Sequence, residues 1–210
     1  MICTHDGVFH SDDVMAGAIV CLAYPSEAIL RTRDPVLLAQ AALCFDVGAG
    51  RYDHHQPGGN GVRASGIPYA SAGLLWRDYG VNICESAEIA AEVDRQLIAP
   101  IDAHDNGYTI ATPLYDGVLP CTVSHLISNM NPSWDEDQDF DQRYFQAVAL
   151  AALLLDRAII RARGVVRAKQ EVAQAIADAI DPRVVVLPYF VPWQEALVEQ
   201  STEALLCVYP

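Results

Sequence analysis

Within its first 47 residues the chain alternates short apolar runs with helix-like segments, and this alternation restricts the fold more than any other feature. Ile2-Cys3-Thr4 is a short apolar start. Asp12 precedes the apolar run 14–22, which reads as a helix capped near Asp12. Residues 28–33 read as a second strand, and Pro35 suits the first turn of a short helix. Residues 41–47 form a third run, near-continuously apolar, as a parallel strand buried on both faces should be. The order β-α-β-α-β predicts an α/β fold in which a parallel sheet is flanked by helices.

Further along, residues 69–79 and 85–98 read as helices separated by a break at Gly80-Val81-Asn82. A weaker helix covers 119–129, and a loop rich in Asp, Pro and Trp covers 131–139. A long helical stretch follows over 140–180, with Gly164 as a candidate break and residues 150–155 apolar all round, hence expected to be buried. Residues 183–187 and 204–209 read as strands. The expected organisation is an α/β domain over 1–130 and a long helix with a partial C-terminal α/β portion over 131–210.

Composition narrows the partners. The apolar share of 52% supports a sizeable core. No stretch reaches the roughly 18 consecutive apolar residues of a membrane span, and the N-terminus does not read as a secretory signal. Six scattered cysteines without a C-x-x-C pair read as thiols of a reducing, cytoplasmic compartment. The 13 Lys and Arg face 27 Asp and Glu, which disfavours gripping long duplex nucleic acid but leaves local phosphate handling open through metal ions or a few arginines.

Five of the six histidines lie within two positions of an aspartate: His5 by Asp6, His10 by Asp12 and Asp13, His54 and His55 after Asp53, and His104 between Asp102 and Asp105. His5, Asp12, Asp46 and Asp53 fall at or just beyond the C-terminal ends of the expected parallel strands, where open sheets bind ligands. Asp46 is the most informative of them, because a carboxylate ending an apolar strand costs several kcal/mol to bury unpaired. Imidazoles and carboxylates without thiolates suit Mn²⁺, Fe²⁺, Co²⁺ or Zn²⁺, and the carboxylate-rich balance tilts toward Mn²⁺. The candidates outnumber the ligands of one ion, so two ions sharing a carboxylate are expected.

The ordered segments "THDGVFHSDD" (4–13), "RTRD" (31–34), "DVG" (46–48), "RYDHHQ" (51–56), "ASAGLLW" (70–76), "IDAHDNG" (101–107) and "VLPYFVPWQEAL" (186–197) resemble the melanocyte-proliferating-gene (Myg-type) proteins. These are regarded as metal-dependent nucleases and look like a branch of the DHH phosphoesterase superfamily. The resemblance implies metal ligation by His5, His10, Asp12, Asp46 (bridging), His54 and Asp105, with Asp102 as an alternate. It implies a phosphate contact by His55, whose neighbour Asp53 orients a ring. His10 stands where many relatives carry aspartate, Asp6 where asparagine is usual, Asp13 where glutamate is usual, and His104 at an often apolar position. Relatives also continue into a C-terminal portion with a glycine-rich stretch that helps hold substrate.

The expected function is a divalent-metal-dependent phosphohydrolase. The resemblance points to 3′–5′ exonuclease action on single-stranded RNA or short oligonucleotides, and the acidic surface favours the short end of that range. Arg31, Arg33 and Arg63 are candidate phosphate contacts, although each could instead pair with a surplus acid. Two alternatives stand beside it: a phosphoesterase acting on a nucleotide, cyclic dinucleotide or pyrophosphate, and a truncated metal-binding domain without catalysis. Assembly as a homo-oligomer is compatible with each.

Overall fold

The computed structural model describes residues 1–210, which divide into two compact units, Met1–Ala158 and Ile159–Pro210. In the first unit β1 (Ile2–Thr4), β2 (Ile29–Arg31) and β3 (Leu43–Cys44) form a parallel sheet in the order β2-β1-β3, with Ile2 opposite both Ile29 and Leu43. The α/β architecture is the one the alternation predicts. The third strand is much shorter than residues 41–47 and only half-buried. Pairing gives out because Asp46 adopts φ 55°, a left-handed conformation that turns the chain out of the sheet.

Helix α1 (Ser11–Ala23) is buried along its whole length from Ser11 to Val20, which explains apolar residues on every side of it. Its cap is His10 rather than Asp12, so Asp12 and Asp13 occupy the first turn, where the helix dipole favours carboxylates. Gly17 lets α1 approach closely: a Cβ there would lie 2.7 Å from the Tyr144 hydroxyl, which donates to the Asp13 carbonyl. Helix α2 (Pro35–Gln40) is capped by Asp34, whose carboxylate accepts from the Val36 N–H at 2.8 Å.

Helix α3 (Ser71–Cys84) runs straight through Gly80, where a break was expected. The residue is needed for space, since a Cβ would lie 2.8 Å from the Trp76 ring. The chain breaks instead at Glu85, φ 57°. Helix α4 (Ala87–Val93), a π-turn (Asp94–Ile98) and α5 (Ala99–Asp105) then follow without interruption. The π-turn ends two residues before Pro100, which has no N–H to donate. Helix α6 (Val123–Ser128) precedes α7 (Phe140–Ala177), whose first part belongs to this unit. Residues 150–155 are not buried all round: Ala151 and Leu155 face inward, whereas Leu153 is 59% exposed.

In the second unit α7 continues unbroken past Gly164. Strands β4 (Val184–Val186) and β5 (Leu206–Val208) pair in parallel, and α8 (Gln194–Gln200) connects them. Ala168, Val172, Val185, Leu187, Ala196 and Leu197 close a small core there. All six cysteines are free thiols, and no helix is long and apolar enough to cross a membrane.

Candidate metal centre

Side chains from five places in the sequence meet at the C-terminal edge of the sheet. Asp46, just beyond β3, is at the middle. Its Oδ2 lies 3.2 Å from His5 Nε2 and its Oδ1 lies 3.3 Å from His54 Nε2. His5 Nε2 is also 3.0 Å from Asp13 Oδ2. His54 Nε2 is 3.1 Å from Asp105 Oδ2 at the end of α5 and 3.5 Å from Asp12 Oδ2. His10, Asp12 and Asp105 form a third group whose ligand atoms lie within 4.8 Å of one another.

Local structure holds this arrangement. The left-handed backbone at Asp46 is the kind of strain, of order 1–3 kcal/mol, that persists only where surroundings enforce it. Here Ser71 at the start of α3 donates its hydroxyl to Asp46 Oδ1 at 2.8 Å, and its N–H donates to Asp12 Oδ2 at 3.3 Å. The loop carrying His5 and His10 is tied on both sides. Arg31 donates to the Gly7 carbonyl at 2.7 Å, pairs with Asp141 at 2.8 Å and stacks 4.4 Å from the Tyr144 ring centre. Asn131 accepts from the Phe9 N–H at 3.0 Å and donates to the Phe9 carbonyl at 2.9 Å.

Four carboxylates, Asp12, Asp13, Asp46 and Asp105, crowd the rings of His5 and His54. Burial opposes charge on His5, yet Asp13 and Asp46 outweigh it and push its pKa up to about 10. Burial likewise opposes charge on His54, while Asp105, Asp12 and Asp46 push it up to about 12. Burial first, and then the charge of Asp46, raises Asp12 well above the usual carboxylate range. Burial acts the same way on Asp46, but His5 and His54 hold it far below that range. Asp12 Oδ1, Asp13 Oδ2 and His54 Nε2 are buried without a hydrogen-bond partner, although opposite groups stand close by. Short contacts at angles unsuited to hydrogen bonding, between imidazole nitrogens and carboxylate oxygens, fit ligands aimed at a shared divalent ion.

Asp53 and His55 sit at the mouth. Asp53 Oδ1 is 2.8 Å from His55 Nδ1, and Asp53 Oδ2 accepts from the Ala49 N–H at 2.7 Å, so the carboxylate fixes an otherwise exposed ring. A cavity of about 370 Å³ opens here, lined by His5, His10, Arg33, Asp46, Asp53 and His55 among others. Arg33 reaches it while pairing with Asp6 at 3.2 Å.

Three candidates lie elsewhere. Arg31 is buried and committed to Gly7, Asp141 and Tyr144, so it meets no phosphate. Arg63 binds Asp94 through two hydrogen bonds of 2.9 and 2.7 Å and pairs with Asp102 at 2.7 Å. Asp102 faces Arg63 and accepts from the Gly73 N–H at 3.0 Å, so it belongs to this ion network and not to the metal cluster. Two members of the cluster were not among the sequence candidates, Asp13 and Ser71. Asp13 adjoins Asp12 in the first turn of α1, a position that could have flagged it, and Ser71 lies in the segment "ASAGLLW", whose resemblance to the family was its one signal.

Comparison with known proteins assigns the chain a family. A family model labelled MYG1_exonuc and described as "Uncharacterised protein family (UPF0160)" matches residues 1–209. A MYG1 protein of Saccharomyces cerevisiae is 30% identical over 238 residues, covering 96% of this chain and 70% of its own. The proteins named MYG1 exonuclease in Rattus norvegicus and Homo sapiens are 32% and 31% identical over 177 residues, covering 70% of this chain. That match takes in 46% of either mammalian protein, so the chain spans less than half their length. No solved structure matches. On the family match and the yeast relative, the chain belongs to the MYG1 family.

Proposed function

We propose that this protein is a divalent-metal-dependent phosphohydrolase of the exonuclease type, holding two ions, with Mn²⁺ the ion its donor set suits. Asp46 carries the reading, because its two oxygens face two different histidines, His5 and His54. One ion would be held by His5, Asp13 and Asp46, and its neighbour by Asp46 and His54, with His10, Asp12 and Asp105 grouped beside them; His55 also falls in the group of Asp46 and His54, but it is exposed and turned to Asp53. Divalent ions so placed supply water activation and neutralise phosphate charge. The chain's own work is positional. Asp46 presents one oxygen toward each of His5 and His54, Ser71 keeps that carboxylate turned inward, and Asp53 orients His55, which would meet a non-bridging phosphate oxygen. Arg33, at the rim, offers a second positive contact.

The exonuclease names of the mammalian relatives support a nucleic-acid substrate, and we place it among single-stranded RNA and short oligonucleotides attacked 3′ to 5′. The net charge of −14 and a site cavity of only about 370 Å³ favour short strands over duplex. The same small cavity supports a second reading, hydrolysis of a small phosphorylated molecule. End-labelled single-stranded oligonucleotides and a panel of nucleotides, each incubated with Mn²⁺ or with EDTA, separate the two. Stepwise shortening from the 3′ end, lost in EDTA and in Asp46→Ala, is the expected result. Shortening that persists in Asp46→Ala would overturn the assignment.

A further inference from the structure

The sequence of this acidic protein contains one strongly basic interval. Between Arg157 and Lys169 there are five cationic residues and no acid, in a chain with 13 cations altogether. Arg161, Arg163 and Arg167 fall in the second unit, are exposed, and form no ion pair. This is unusual where acids outnumber bases about two to one, since nearly every other arginine is paired with a carboxylate.

Arg167 lines a cavity of about 340 Å³, together with Gly164, Ala168 and Glu171 of α7 and the segment Tyr189 to Pro192. Positions 164, 167, 168 and 171 share one helix face, and Arg161 extends that face by one turn. Tyr189 and Phe190 are 52% and 61% exposed, although each has a contact that orients its ring. The Glu171 carboxylate beside Tyr189 pushes that phenol's pKa up, and Phe190 packs edge-on against Tyr209, ring centres 5.3 Å apart. Pro188 and Pro192 flank the segment and limit its backbone.

Gly164 supplies an independent observation. A glycine inside a helix costs about 0.5–1 kcal/mol relative to alanine. At Gly17, Gly73 and Gly80 a close neighbour requires it, but a Cβ at Gly164 would meet nothing within 4 Å. No packing neighbour requires it, and the space over it is open to the cleft.

We propose that this cleft is an anchoring site for single-stranded nucleic acid, in which a base stacks on Tyr189 or Phe190 over the gap at Gly164 while Arg161, Arg163 and Arg167 meet backbone phosphates. Aromatic faces beside a basic track are the recurring chemistry of single-strand binding, tolerant of sequence because every base has a stacking face. The inference rests on the nuclease reading for its choice of ligand, and it gives a protein with an acidic catalytic region a place to hold a polyanion.

The test uses the full chain in EDTA and a fluorescent single-stranded oligonucleotide of roughly ten nucleotides, read by anisotropy between about 50 and 200 mM salt. Gly164→Leu should fold at least as well, because leucine is the better helix former, yet weaken binding about five- to tenfold by filling the cleft. Arg161→Glu/Arg167→Glu should weaken it by more than about tenfold and flatten its salt dependence. With Mn²⁺ present, both variants should hydrolyse bis(p-nitrophenyl) phosphate like the wild type, since that diester is too small to need the cleft. Wild-type oligonucleotide affinity in both variants would overturn the proposal, as would a wild type that binds no oligonucleotide in EDTA. Failure of every chain to hydrolyse the diester would instead count against the phosphohydrolase reading, and the anisotropy data would still decide the cleft.

Discussion

Replacing Asp102 with asparagine should change how stability depends on pH more than how large it is. The Asp102 carboxyl is fully buried on α5, 2.7 Å from Arg63 and bonded by the Gly73 N–H. Burial pushes its pKa up to about 7 against the opposing pull of Arg63. An acid whose folded pKa lies above its unfolded value keeps a proton in the folded state that the unfolded chain has already lost. Stability therefore falls as pH rises across the interval, and the loss is complete above about pH 7. From an unfolded value near 3.9 the full interval is worth at most about 4 kcal/mol, and the part above pH 5 about 3 kcal/mol. Asparagine keeps an acceptor for Gly73 but cannot titrate. Urea unfolding at about pH 5 and about pH 8 should thus show the wild type losing about 3 kcal/mol more than Asp102→Asn between the two conditions. His5, His54 and the remaining acids titrate in both proteins and cancel in the difference. Parallel pH profiles would mean that Asp102 holds no extra proton in the folded protein.

Gly73→Ala should cost about 3–5 kcal/mol, because its Cβ would overlap the Asp102 carboxylate and separate it from Arg63, leaving buried charges unpaired; thermal unfolding beside Gly164→Ala, which should match or exceed the wild type, checks it. Arg31→Met keeps bulk against Tyr144 but loses the bond to the Gly7 carbonyl, so the His5 loop should loosen and metal affinity fall about 10- to 100-fold in a Mn²⁺ titration. His54→Ala should lose bound metal, whereas His55→Ala, whose ring is exposed and held by Asp53, should retain metal and lose turnover; equal metal loss in both would argue against that division.

Much of the first unit was legible because its signals are local. Asp34 and Pro35 mark a helix start whatever surrounds them, and the alternation of apolar runs forces parallel pairing. Where reading failed, the deciding fact was a neighbour distant in sequence. Gly80 has the letter of a helix breaker, but the Trp76 ring over it makes it a packing position. The run 41–47 shows no trace of the positive φ at Asp46, which is set by the contacts of its side chain with His5, His54 and Ser71. The same holds for the site. His5 and Asp46 could be singled out because strand ends collect ligands, whereas His54 and Asp105 came from the resemblance of "RYDHHQ" and "IDAHDNG" to the family's motifs; the structure brings the four together. Arg31, Arg63 and Asp102 could not be placed, since a charge alone does not say which of many surplus acids or bases it will meet.

If Asp46 joins two cation sites, the number of ions bound per chain must depend on it. Purified protein, stripped with chelator and dialysed against rising Mn²⁺, is to be analysed for bound metal per chain, alongside Asp46→Ala. The wild type should approach two ions. Asp46→Ala, having lost the oxygen facing His5 as well as the one facing His54, should hold no more than one, and weakly. A wild type that binds no divalent metal, or an Asp46→Ala protein that binds as much as the wild type, would contradict the account.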